Sequence, residues 1–94
     1  MRTVKVEGKN KVHKVLLYTL STCIHCRIAK DFFKENDVEF EYIDVDLCDK
    51  KDQQEITGDI LRRGSNLAFP KIIIDDDILI TGFDMNKIKE IIKI

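Results

Sequence analysis

The chain has 94 residues, 44% of them apolar, which suits one globular domain with a small core and argues against disorder. Sixteen basic residues against seventeen acidic leave a net charge of −1, so nothing in the balance attracts nucleic acid or an acidic membrane. No apolar run approaches the ~18 residues of a bilayer span, and the first eight residues hold no apolar signal core, so export is not expected.

Residues 3 to 7 alternate as a short strand does, and Gly8 to Lys11 form a turn. Two outcomes are open for residues 1–13: an extra strand forming a hairpin with the next one, or an extended tail. Residues 14 to 20 are continuously apolar in the middle, as in a strand buried on both faces. Ser21-Thr22 ends that strand and enters a helix from Ile24 to Glu35. Ile28, Ala29, Phe32 and Phe33 fall on one of its faces, and Asn36-Asp37 closes it. Residues 38 to 45 read as a strand.

Asp49 to Arg63 reads as a helix with a thin stripe of Ile56, Ile60 and Leu61, weakened at Gly58 by about 1 kcal/mol relative to Ala. Residues 62 to 66 form a loop. Pro70 to Ile74 and Ile78 to Thr81 make an antiparallel hairpin around Asp75-Asp76-Asp77. Those three acids lack the spacing of a calcium loop and read as a turn. Asp84 caps a last helix that turns Met85, Ile88, Ile91 and Ile92 to one side. The order is βαβ, helix, hairpin, helix. It predicts one α/β domain over residues 1–94, a four-stranded mixed sheet with helices on both faces, and a fifth strand if residues 3 to 7 pair.

The chemistry concentrates in Thr22-Cys23-Ile24-His25-Cys26. A strand feeding a C-x-x-C at a helix start is a redox signature. The outer sulfur, Cys23, faces free backbone N–H groups and the positive helix end, so it loses its proton easily and attacks. Cys26 lies one turn inward and resolves the mixed disulfide. A zinc site needs four ligands. Only Cys48, His13 and His25 could add to the pair, so no metal is expected. The odd cysteine count argues against a disulfide framework and for a reducing compartment, the cytoplasm. Cys48 reads as a bystander near the end of a strand.

With its C-x-x-C at the first helix and its single proline opening the third strand, the chain resembles the thioredoxin fold, and the glutaredoxin branch within it. The motifs that carry this are the strand Val15 to Thr19 before Cys23-Ile24-His25-Cys26, the stretch Phe40 to Asp46, Ala68-Phe69-Pro70, and Thr81-Gly82-Phe83-Asp84. The resemblance covers about residues 14 to 93. It implies a thiol–disulfide oxidoreductase that needs no cofactor. It also implies a cis Phe69–Pro70 bond and a Phe69 backbone that pairs with an extended substrate. At Gly82 it implies close approach of a substrate backbone, and near Phe83 and Asp84 a place for a substrate amine.

Three departures from the glutaredoxin pattern stand out: Ile24 where the family usually has proline, His25 where it has an aromatic residue, and Leu20 where it often has a basic residue for the glutathione carboxylate. They argue against glutathione use, while the non-proline Ile24-His25 dipeptide and the Gly82-Phe83 pair resemble glutaredoxin-like redoxins that reduce ribonucleotide reductase and draw electrons from thioredoxin reductase. Expected partners are therefore protein disulfides and a reductase, with the protein a monomer. The rival readings are a glutathione-dependent glutaredoxin, with glutathione as co-substrate, and an iron–sulfur cluster carrier. An imidazole at His25 stabilises the Cys23 thiolate, which predicts a potential less negative than the about −270 mV of thioredoxin.

Overall fold

The computed structural model describes residues 3–94. Its elements are β1 (Val4–Val6), β2 (Val15–Thr19), α1 (Ile24–Glu35), β3 (Phe40–Asp44), a 3-10 turn (Val45–Leu47), α2 (Lys50–Arg62), β4 (Lys71–Ile74), β5 (Ile78–Thr81) and α3 (Met85–Ile92). One sheet runs β1-β3-β2-β4-β5. β2 and β3 are parallel, as the helix between them requires. β4 lies antiparallel to β2 and forms the hairpin with β5.

The extra strand exists, but it is not a hairpin partner of β2. β1 pairs antiparallel with β3, Val4 opposite Tyr42 and Val6 opposite Phe40. β3 and β4 occupy both edges of β2, so the outer edge of β3 is the one left for residues 4–6. The chain then crosses the end of α1: Asn10 N–H donates to Asp37 O and Glu39 N–H to Asn10 O, each at 2.9 Å. Gly8 makes this crossing feasible, because a Cβ there would stand 2.6 Å from the Asp37 carbonyl oxygen.

The sheet is covered on both faces. Val15, Leu17, Phe40, Ile72, Ile74 and Ile80 pack against Ala29, Phe32 and Phe33 of α1 and Ile88 and Ile92 of α3. Tyr18, Ile43 and Ile73 pack with Val45 against Ile56 and Ile60 of α2 on the other side. Double coverage is why Val15 to Tyr18 of β2 and Ile72 to Ile74 of β4 read as unbroken apolar runs.

The helical stripes are narrower than their periodicity suggested. Ile28 is 44% exposed, because the buried arc of α1 runs through Cys26, Ala29, Phe33 and Phe32, and Ile28 lies about 40° beyond Phe32. Leu61, one residue past Ile60, swings about 100° away and is exposed. Met85 is exposed in the first turn of α3, while Ile91 is partly buried against the core. The third strand is shorter than residues 38–45: Val38 makes only an isolated bridge with Asn10, and Val45 starts the 3-10 turn.

Candidate active site

β2 ends at Thr19, and the chain turns through Leu20, Ser21 and Thr22 into α1. Ser21 fastens the turn, donating its N–H (2.8 Å) and its hydroxyl to the two oxygens of Asp46. Those bonds hold the Asp46 carboxyl below the usual carboxylate range. Cys23 N–H donates back to Leu20 O at 3.1 Å. Cys23 is thereby the N-cap of α1, a position usually filled by an oxygen side chain. Its sulfur accepts the Cys26 N–H at 3.3 Å. The first turn of the helix carries no acidic residue, so no carboxylate competes for its free N–H groups.

The two thiols are unlike. Cys23 is partly exposed, and Cys26 is wholly buried. Burial, and after it the neighbouring Cys23 sulfur, push the Cys26 thiol up to about 12. The outer sulfur is in contact with solvent and with the Cys26 N–H of the helix; the inner one is kept as a thiol. Ile24 and His25, between them, both project into solvent, Ile24 at 75% exposure. With the described residues His25 makes no hydrogen bond to either sulfur.

A polar cleft opens beside Cys23, lined by Leu20, Ser21, Arg27, Lys30, Lys34 and Tyr42 among others. Lys30 lies 3.1 Å from Asp44 and 3.9 Å over the Tyr42 ring. The buried Thr19 hydroxyl donates to the same Asp44 carboxylate at 2.7 Å. This network ties the ends of β2 and β3 to Lys30 in the middle of α1.

The other wall comes from β4 and β5. Tyr18 stands opposite Lys71, so the register continues Thr19 toward Pro70 and Leu20 toward Phe69. Leu20 and Phe69 meet in the same apolar cluster. The Phe69–Pro70 bond is cis. Pro70 O accepts the Gly82 N–H at 2.8 Å, and Gly82 has φ 78°, a backbone state that favours glycine. Phe83 packs edge-on against Phe32, ring centres 5.3 Å apart. The Asp84 carboxylate is engaged as the N-cap of α3, accepting Lys87 N–H at 3.1 Å. Cys23, Cys26, Phe69, Pro70, Gly82 and Phe83 thus come from three separate stretches to one end of the sheet.

Cys48 stands apart from the pair, its sulfur against the Asp44 carbonyl at 3.5 Å. Burial and the surrounding Asp52, Asp49, Asp44 and Asp46 raise its pKa and disfavour the thiolate. Among the described residues no three His, Cys, Asp or Glu side chains converge on a common point as metal ligands. Among the described residues no helix is long and apolar enough to cross a membrane.

Lys71 escapes sequence reasoning. It is wholly buried, and its ammonium donates to Ser65, Asn66 and Thr81. A lysine directly after a proline at a strand start reads as a solvated end, and no pattern in the sequence says otherwise. The Ser21–Asp46 clasp was equally invisible, since it joins residues 25 apart.

Comparison with known proteins gives a consistent result. The glutaredoxin family model matches residues 15–79. The glutaredoxin 1 of Rickettsia felis is 29% identical over 69 residues, a match that takes in 73% of this chain but 65% of that protein's length. The glutaredoxin of Methanosarcina mazei Go1 superposes with a TM-score of 0.88 at 32% identity, covering 100% of this chain and 90% of its own. The methanoredoxin of Methanosarcina acetivorans superposes with a TM-score of 0.88 at 29% identity, covering 100% and 97%.

Proposed function

This chain belongs to the glutaredoxin family and has its thioredoxin-like fold, and we propose that it reduces protein disulfides through a Cys23/Cys26 dithiol–disulfide cycle. The Cys23 thiolate attacks one sulfur of the substrate disulfide. The S–S bond breaks, the departing sulfur takes a proton, and a Cys23–substrate disulfide forms. Cys26 then loses its proton and attacks the Cys23 sulfur, releasing the second substrate thiol. Two electrons pass to the substrate, and the pair ends as a disulfide that a reductase must reopen. No cofactor takes part.

The observation that carries this reading is the pairing of a capped, accessible Cys23 sulfur with a buried Cys26 whose N–H points at it. His25 stabilises the attacking thiolate through the field of its imidazole and raises the potential of the couple. Phe69, Pro70 and Gly82 supply backbone along which an extended substrate lies, with Ile24 and Phe83 as apolar contacts and Asp84 near the substrate amine. Thioredoxin reductase is the electron donor in this reading and ribonucleotide reductase the leading target. The protein works as a monomer in the cytoplasm, where its thiols stay reduced.

A second reading, with glutathione as co-substrate, draws on Arg27 and Lys34, which line the cleft beside Cys23 together with Asp31 and offer cations to a small molecule bearing carboxylates. One experiment separates the two. The oxidised protein is offered NADPH with thioredoxin reductase, and separately glutathione with glutathione reductase and NADPH. Turnover in the first system alone supports the primary reading; turnover in the second alone replaces it. Loss of the activity in Cys23→Ser ties either result to the pair, and failure of the wild type to reduce insulin disulfides rejects both.

A further inference from the structure

Lys71 is the only charged side chain wholly buried among the described residues. Its three ammonium protons meet three oxygens: Ser65 Oγ at 2.8 Å, Asn66 Oδ1 at 2.9 Å and Thr81 Oγ1 at 2.8 Å. None of them is a carboxylate. Burying an ammonium without an ion-pair partner is costly, and methionine would fill a similar volume at no such cost. Burial alone lowers the pKa of this ammonium, with no nearby acid to offset it.

The three acceptors come from two segments. Ser65 and Asn66 lie in the loop between α2 and β4, and Thr81 ends β5. Asn66 Oδ1 also takes the Ala68 N–H at 3.1 Å, one residue before Phe69. Thr81 precedes Gly82, whose N–H reaches Pro70 O. Lys71 pairs in the sheet with Tyr18 and Thr81, on the face covered by α2, so its ammonium works from beneath the cleft and not within it.

We propose that Lys71 is a positioning residue: its ammonium fixes the spacing between the Phe69–Pro70 segment and the Gly82 turn, and so sets how well a peptide disulfide seats beside Cys23. The role deepens the redox function proposed above and rests on it. A small symmetric disulfide with no peptide backbone does not use that spacing. Lys71 therefore discriminates between substrates and does not drive the sulfur exchange itself.

The test compares wild type, Lys71→Met and Thr81→Val, with dithiothreitol as terminal reductant. Thr81→Val keeps the strand shape and removes one acceptor at an exposed residue, so it stays informative if Lys71→Met does not fold. Amide exchange is followed at Ala68 and Gly82, and kcat and KM are measured for insulin and for bis(2-hydroxyethyl) disulfide. In Lys71→Met, faster exchange at both amides is expected, with a KM for insulin raised about tenfold and a clearly smaller change for the small disulfide. In Thr81→Val the insulin KM rises about threefold. Unchanged exchange in the folded variants overturns the clamp whatever the activity. Equal effects on the two disulfides, or none, overturn the positioning role. A wild type that reduces neither disulfide rejects the redox function instead.

Discussion

The amide of Cys26 points at the sulfur of Cys23 across 3.3 Å, closing the first turn of α1 on the atom proposed to react. Two consequences can be separated by serine substitution. Serine is a good N-cap, so Cys23→Ser is expected to keep the melting temperature within a few degrees while activity falls at least ~100-fold. Cys26→Ser leaves the attacking sulfur but removes the resolving one. It is expected to stall as a covalent adduct with insulin or a model peptide, visible by mass spectrometry under non-reducing conditions. Continued turnover by Cys26→Ser with no such adduct would contradict the assigned order of attack.

Two glycines respond oppositely to a methyl group. At Gly8 the added Cβ meets backbone, the Asp37 carbonyl oxygen at 2.6 Å and Glu39 N at 2.7 Å. Gly8→Ala is expected to cost about 1–3 kcal/mol by pushing the N-terminal crossing off α1. At Gly58, inside α2, the nearest atom is Arg62 Nη1 at 3.2 Å, the mobile tip of a mostly exposed side chain. Gly58→Ala is expected to stabilise by about 0.5–1 kcal/mol. Urea unfolding of both variants checks the signs, and destabilisation by Gly58→Ala means that Arg62 cannot move aside.

Asp75 links the β4–β5 turn to the start of β2. Its carboxylate meets His13 Nδ1 at 2.7 Å and accepts the Lys14 N–H at 2.9 Å. The His13 contact first, and the Lys14 amide second, hold its pKa below the usual carboxylate value. A depressed carboxylate contributes stability that is present above its unfolded pKa of about 3.9 and lost as pH falls through the folded value. Asp75→Asn keeps an acceptor and tolerates the φ of 55° at this position. The variant is expected to be less stable than wild type at pH 6, with the gap closing as the pH falls through the lowered pKa of folded Asp75. Denaturation midpoints across that range decide the matter; a gap that stays constant assigns the effect to the turn geometry and not to the charge.

Tyr18 donates its hydroxyl to Asp59 at 2.8 Å beneath α2. Burial, then that hydrogen bond and the Asp59 charge, raise its pKa above the ordinary tyrosine range. Absorbance at 295 nm is expected to show a late phenolate component that Tyr18→Phe removes, together with about 1 kcal/mol of stability. A titration unaltered by the substitution would place the late component elsewhere.

The central architecture was legible because its signals are local. Val15 to Thr19 and Ile72 to Ile74 carry strand character without neighbours, and the helix from Ile24 to Glu35 has the same bounds in the structure as in the sequence. The site was legible where adjacent residues define it, as in the Cys23–Cys26 pair, and where a family resemblance supplied the expectation, as in the cis Phe69–Pro70 bond. Long-range choices were not. β1 selects β3 because β2 has no free edge, a fact of the whole sheet and not of residues 4–6. Ile28 and Leu61 have core-type side chains at positions just outside a buried arc, and hydrophobicity cannot report an arc's width. Lys71 shows the limit most sharply, since its burial depends on oxygens from Ser65, Asn66 and Thr81 that only folding assembles.

The five strands are bordered by β1, three residues long, on one side and β5, four residues long, on the other. Borders this brief offer a neighbouring molecule few unpaired amides in a row, and Lys5 adds a charge to one of them. A passing chain therefore finds little template for lateral growth along the flanks, which leaves strand-like recognition, in the function proposed above, to the backbone around Cys23.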